Sequence, residues 1–105
     1  MKSQLCLAAL ACLLLSVQAA VGETIQIKIS DLVFSPTEVT AKLGDTVEWS
    51  NGDFVDHTAT DKGGTWDVAI PAGKSVQLKF TSPGTFAYYC KVHPGMTGTI
   101  HVDAK

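Results

Sequence analysis

Apolar residues recur at every second position in one short stretch after another of this 105-residue chain, and that period restricts the fold more than any other feature. Thr24 to Ile29 places Ile25, Ile27 and Ile29 on one face. Glu38 to Leu43 does the same for Val39, Ala41 and Leu43, and Asp45 to Ser50 for Val47 and Trp49. Ser75 to Thr81 aligns Val76, Leu78 and Phe80, and Thr85 to Cys90 aligns Phe86 and Tyr88. In Thr97 to Asp103, Ile100 and Val102 flank His101. Side chains alternate across a strand, so each stretch reads as a strand with one face buried. Gly44-Asp45, Asn51-Gly52, Gly63-Gly64, Pro71-Ala72-Gly73 and Pro83-Gly84 separate them with turn-forming residues. No stretch of a dozen residues after Gly22 carries a helical period. The pattern predicts an all-β sandwich or barrel. Trp49, Trp66, Phe80, Phe86 and Tyr88 are assigned to its core or the core's edge, and His101 to its solvent face.

The N-terminal stretch obeys a different logic. Lys2 precedes an uninterrupted apolar run from Leu5 to Leu15, and Ser16 to Ala19 form a polar exit with small residues. This is the pattern of a secretory signal, and the run is short for a membrane span. Val17 and Ala19 suit the −3 and −1 positions of a cleavage site. Residues 1–19 are therefore read as a signal peptide and 20–105 as one domain, expected to be a monomer with no membrane span after cleavage. The alternative is a retained N-terminal anchor. Cleavage would remove Cys6 and Cys12 and leave Cys90 alone, so no intramolecular disulfide is possible. A lone thiol in an oxidising compartment calls for an occupant, and a metal ion is the obvious one. Without Lys2, seven lysines face ten acidic residues, and the chain has no arginine. That balance disfavours nucleic-acid binding.

Tyr88 to Met96 reads YYCKVHPGM, a Cys-x2-His-x2-Met spacing at the expected end of a strand. Pro94 and Gly95 stop the strand, and a tight loop can turn the Cys90 thiolate, the His93 imidazole and the Met96 thioether toward one point. His57, 33 residues upstream of Cys90, is the best source of a second imidazole. Two imidazoles and a thiolate in a trigonal plane with a weak axial thioether describe a blue-copper site. Protein fills all four positions, whereas catalytic metal sites keep one open, so the set suggests a carrier and not an enzyme. Asp53, Asp56 and Asp61 lie near His57, but acids are routine in polar loops and do not by themselves make an active site.

From Phe34 to Val102 the chain resembles the cupredoxin family of plastocyanins, pseudoazurins and amicyanins. Phe34-Ser35-Pro36, Gly44-Asp45-Thr46-Val47-Glu48-Trp49, His57-Thr58 and the Cys90 loop occur in the family's order. Two residues between His93 and Met96 match the amicyanin loop, where plastocyanins and pseudoazurins have a longer gap. The resemblance implies an all-β, Greek-key β-sandwich of about eight strands, with a copper ion at one end held by His57, Cys90, His93 and Met96. It implies electron exchange through the exposed edge of His93, within an apolar docking patch that includes Pro94 and Gly95. Many members have Asn after the first histidine ligand and use it to tie the two ligand loops together; here the residue is Thr58, whose hydroxyl is shorter. Lys91, beside the loop, is a candidate for biasing partner choice.

The function expected is a one-electron carrier alternating between Cu(I) and Cu(II). By resemblance, its location is the periplasm and its partners are redox proteins such as a c-type cytochrome or a periplasmic dehydrogenase. The alternative is a periplasmic copper chaperone or storage protein. Such proteins usually carry Met-rich or multiple-His tracts, and only Met96 remains here after the initiator. Structural zinc is disfavoured, because a thioether is a poor zinc ligand and the usual Cys/His pairs are missing. If the signal reading holds, N-terminal sequencing of exported protein will find Ala20 first; a chain that keeps Met1 in the membrane fraction is an anchored one.

Overall fold

The computed structural model describes residues 22–105, and the signal segment assigned to 1–19 lies outside the described residues. Nine strands and no helix are present among them: β1 (Thr24–Ser30), β2 (Val33–Ser35), β3 (Glu38–Lys42), β4 (Thr46–Asn51), β5 (His57–Asp61), β6 (Asp67–Ile70), β7 (Ser75–Lys79), β8 (Gly84–Tyr89) and β9 (Thr97–Asp103). They form a four-stranded sheet, β2-β1-β4-β7, and a five-stranded sheet, β3-β9-β8-β5-β6. Of the sandwich and barrel that the alternation allows, the sandwich is the one observed. The count exceeds the expected eight by one, and two of the nine, β2 and β6, are three and four residues long and too short to display a period.

The inward faces follow the sequence closely. Ile27, Ile29, Val39, Ala41, Val47, Trp49, Phe80, Tyr88, Ile100 and Val102 are buried, while Ile25, Trp66, Val76, Leu78 and Phe86 pack at the edge of the same core. Leu43 is an exception. It leaves β3 at the turn into β4 and is exposed. His101 lies on the outer face of β9, between Thr85 and Glu38 on the neighbouring strands, and hydrogen-bonds to both.

Tyr88 anchors the middle of the core. Its ring meets Phe34 edge-on at 4.8 Å and Trp49 at 5.8 Å, and the Trp49 indole N–H points at its hydroxyl at 3.4 Å. Aromatic pairs of this kind add about 0.5–1.5 kcal/mol beyond their burial. Burial pushes the Tyr88 phenol up to about 12, so it is neutral in the fold. Space for its ring comes from Gly98, its partner across the β8–β9 ladder. A Cβ at Gly98 would stand 2.5 Å from Tyr88 Cζ and 2.6 Å from its hydroxyl oxygen, well inside contact distance.

Acidic side chains close the turns. Asp45 accepts from the Glu23 and Lys42 amides, which hold its carboxyl below the usual range. Asp61 accepts from Gly63 N, Thr65 N and the Thr65 hydroxyl. These bonds outweigh its desolvation and keep it ionised. Gly98→Ala should lower unfolding free energy by about 1–3 kcal/mol, the usual cost of overpacking. Chemical denaturation of the two proteins side by side will measure it, and an unchanged midpoint would mean that Tyr88 has room to move.

Candidate metal centre

Strand register builds the centre. β5 and β8 are antiparallel, with Thr60 opposite Tyr89 and Asp61 opposite Tyr88. Continued two residues past Tyr89, that register sets Thr58 opposite Lys91 and leaves His57 and Cys90 as neighbours at one end of the sandwich. Two hydrogen bonds seal the junction: Thr58 N donates to Cys90 Sγ at 3.3 Å, and Lys91 N donates to Thr58 Oγ1 at 2.9 Å. Thr58 thus links the two ligand-bearing segments, the task expected of its hydroxyl.

The loop between β8 and β9 is closed by its own backbone. Met96 N donates to His93 O at 2.8 Å, and Cys90 N donates to Met96 O at 3.0 Å. Pro94 and Gly95 occupy the turn between them. His93 is carried back toward Cys90, and Met96 is buried at the foot of the loop. Cys90 and His57 are buried and His93 is partly exposed.

Three of the four residues singled out in the sequence converge on one point. Cys90 Sγ lies 3.7 Å from His57 Nδ1 and 3.8 Å from His93 Nδ1. All three donor atoms fall within 4.8 Å of one another. Metal bonds of about 2.3 Å to sulfur and 2.0–2.1 Å to nitrogen, opened to about 120°, put sulfur and nitrogen roughly 3.8 Å apart. Both sulfur–nitrogen spacings are those of a trigonal His2Cys site, so the three donors fit around one metal ion. Met96 reaches the same end of the fold as a buried side chain between His93 and β9.

His57 is held from behind. Its Nε2 lies 2.8 Å from Asp53 Oδ2, and the Asp53 backbone N–H donates to Asn51 Oδ1. Asn51 in turn donates through Nδ2 to Val55 O and Ile70 O, which fixes the loop leading into β5. The bond to His57, with those from the Leu32 and Asp31 amides, keeps the Asp53 carboxyl below the ordinary range. The acids near His57 are therefore structural acceptors and not idle loop residues: Asp53 serves His57, Asp56 accepts from Ala72 N, and Asp61 caps the β5–β6 turn. Sequence reading missed these roles. The available signal was an acid four residues before the histidine.

On the other side, Thr58 and Thr60 share a hydroxyl bond, Thr60 donates to Asp67, and Asp67 pairs with Lys91 at 2.5 Å. The charge of Lys91 is thus matched locally, which weakens its candidacy as a free determinant of partner choice. Exposed apolar residues gather on the loops that carry the centre: Phe54 is fully exposed, and Val55 and Val92 are about half exposed.

Burial pushes the Cys90 thiol up, but the Thr58 amide, with His57 and His93, outweighs it and brings the thiol down to about 6. An acid whose pKa is depressed by folding stabilises the fold when ionised. Relative to Cys90→Ser, the metal-free protein should gain stability as pH rises from about 6 toward 9, the ordinary thiol value, and lose that gain as pH falls through about 6. Denaturant midpoints of both proteins across this window test it, and parallel curves would exclude a stabilised thiolate.

The sequence matches the Cupredoxin-like domain family over residues 4–102. It is 37% identical to amicyanin-alpha of Methylorubrum extorquens over 84% of this chain and 79% of that protein. It is 35% identical to plastocyanin of Scenedesmus fuscus over 69% and 88%. The fold superposes on the crystal structure of amicyanin from Paracoccus versutus with a TM-score of 0.67 and 29% identity, covering 83% of this chain and 85% of that one. A reduced Cu(I) form of an amicyanin variant gives a TM-score of 0.71 and 28% identity, with 82% and 87% covered.

Proposed function

The chain belongs to the cupredoxin family, and we propose that it is an exported blue-copper protein carrying single electrons, with copper held by His57, Cys90, His93 and Met96. The observation that carries this reading is the convergence of His57 Nδ1 and His93 Nδ1 on Cys90 Sγ, at 3.7 and 3.8 Å, in a buried, hydrogen-bonded end of the sandwich. When bound, copper would supply a centre that accepts and releases one electron as Cu(II) and Cu(I).

The chain's own residues do the rest. The Cys90 thiolate and Met96 thioether are soft donors suited to Cu(I), and the imidazoles of His57 and His93 suit Cu(II). Thr58 N stabilises the thiolate, and the backbone bonds between Cys90, His93 and Met96 resist a change of shape when the charge changes. A site that keeps one geometry in both oxidation states pays little reorganisation. His57 is sealed from solvent, whereas His93 is partly exposed, so the His93 edge is the natural port for the electron. Val92, Pro94, Gly95, Phe54 and Val55 would surround that port as an apolar docking face. The partners proposed are a c-type cytochrome and a periplasmic dehydrogenase, and the compartment proposed is the periplasm; both rest on the amicyanin-like loop and the N-terminal signal pattern. Among the described residues, no helix is long and apolar enough to cross a membrane.

The copper-chaperone alternative fits less well. Hand-over of copper favours exposed, adaptable donors, but Cys90, His57 and Met96 are buried and braced. Purified protein loaded with one equivalent of Cu(II) should develop an intense copper–thiolate band in the visible, lost in Cys90→Ser, and a reversible one-electron potential. A colourless copper complex, or one without reversible electrochemistry, would reject the carrier reading.

A further inference from the structure

Asn51 is the only asparagine in the chain, and a glycine follows it. Asparagine is thermolabile because the next backbone nitrogen can attack its side-chain amide, and glycine leaves that approach unobstructed. The fold nevertheless needs both residues. Asn51 is 4% exposed, on the last rung of the β1–β4 ladder, opposite Ile29. Its Nδ2 donates to Val55 O at 2.9 Å and to Ile70 O at 3.0 Å, and its Oδ1 accepts from Asp53 N at 2.9 Å. Two donors and an acceptor on one short side chain require an amide. Gly52 N donates to Ile29 O at 2.8 Å, and a Cβ on Gly52 would stand 3.1 Å from that same oxygen, closer than side chains normally come.

We infer that Asn51-Gly52 is a deamidation site that the native fold holds shut, and that the reaction, once the end of β4 opens, removes the anchor of the loop leading into β5. The inference does not rest on the copper reading. In the reaction the Gly52 nitrogen gives up its proton and attacks Asn51 Cγ. A bond forms between that nitrogen and Cγ, the Cγ–Nδ2 bond breaks, and ammonia leaves with the proton. Water then opens the resulting succinimide. Attack at Cγ gives aspartate, and attack at the main-chain carbonyl carbon gives isoaspartate, whose backbone runs through Cγ. Water is the only co-reactant.

The fold blocks the first step from two sides. Attack needs the Gly52 nitrogen stripped of its proton and turned toward Cγ, but its N–H is committed to Ile29 O. Asn51 N is held by Lys74 O at 2.9 Å, and the side-chain amide is held by its three bonds. Neither group can rotate toward the other until β4 parts from β1 or from the Lys74 turn. Both products are wrong for the site. In aspartate an oxygen replaces Nδ2 and faces the Val55 and Ile70 carbonyl oxygens, acceptor against acceptor, on a buried side chain. Isoaspartate inserts an extra backbone carbon before Gly52 and lifts Gly52 off Ile29. The loop from Asn51 to His57 is loosened in either case.

The full-length protein, folded or unfolded in concentrated urea, is held in mildly alkaline buffer while mass spectrometry follows the peptide that contains Asn51. The unfolded chain should convert to isoaspartate and aspartate, and Gly52→Ala should slow that conversion. The folded protein should convert at least about 100-fold more slowly, because only the open fraction reacts. Urea below the unfolding transition should raise its rate. Equal rates in the folded and unfolded states would overturn the guarding role, and an intact Asn51 in the unfolded chain would overturn the site itself. The deamidated protein after refolding, and separately Asn51→Asp, should show a lower denaturation midpoint and faster amide exchange between Asn51 and His57. Unchanged midpoints in both would overturn the damage assigned to the products. The wild-type rates decide the site even where Asn51→Asp does not fold.

Discussion

The pairing of β5 with β8 is the constraint on which the rest of the centre depends. Its register sets Thr58 against Lys91 and His57 beside Cys90, although 33 residues of chain separate the two ligands. A slip of one residue would turn every side chain of β5 to the opposite face. His57 would point to solvent and Ala59 would leave the core. The buried side chains of β5 and β8 thus enforce the register, and the register enforces the ligand geometry. Packing and function share one cause.

The centre is stiff because its polar groups are satisfied close to home. Asn51 uses both ends of its amide, Asp53 uses both oxygens, and the Cys90 loop closes on itself through two backbone bonds. An unpaired buried donor would cost on the order of 1–3 kcal/mol, so these groups strongly oppose rearrangement. The thiolate benefits from the same economy. Burial alone would raise its pKa, but the Thr58 amide and the two histidines more than reverse that. A ligand set held ready before the metal arrives suits an electron carrier, whose rate falls with each bond that must stretch when the charge changes.

Much of the sandwich was legible in the chain. Period two picked out the inward residues of β1, β3, β4, β7, β8 and β9, because a half-buried sheet needs that alternation. It failed where tertiary contacts overrode or hid it. Leu43 continues the β3 pattern, yet the chain turns before it can be covered. β2 and β6 are too short to show a period; Val33 is exposed, and β6 pairs along the edge of its sheet. Of the centre, the local part was the clearest: Cys90, His93 and Met96 lie within one loop, and their spacing alone suggests convergence. Thr58 was visible as a change from the family's usual asparagine. The roles of Asp53, Asn51 and Asp67 were not, because acids and amides in polar loops look alike until their partners are in place.

The sequence by itself determined the strand-forming alternation, the turn residues, and the identity of the donor atoms. Each of these follows from the chemistry of single residues or short spacings. Only the tertiary structure decided which histidine nitrogen faces the thiolate, which carboxylate stands behind it, and which loop amides that carboxylate gathers. Those are contacts between segments distant in the chain, and hydrogen bonds between them are set by the register and packing of two sheets. A linear pattern of residue types carries no direct record of either.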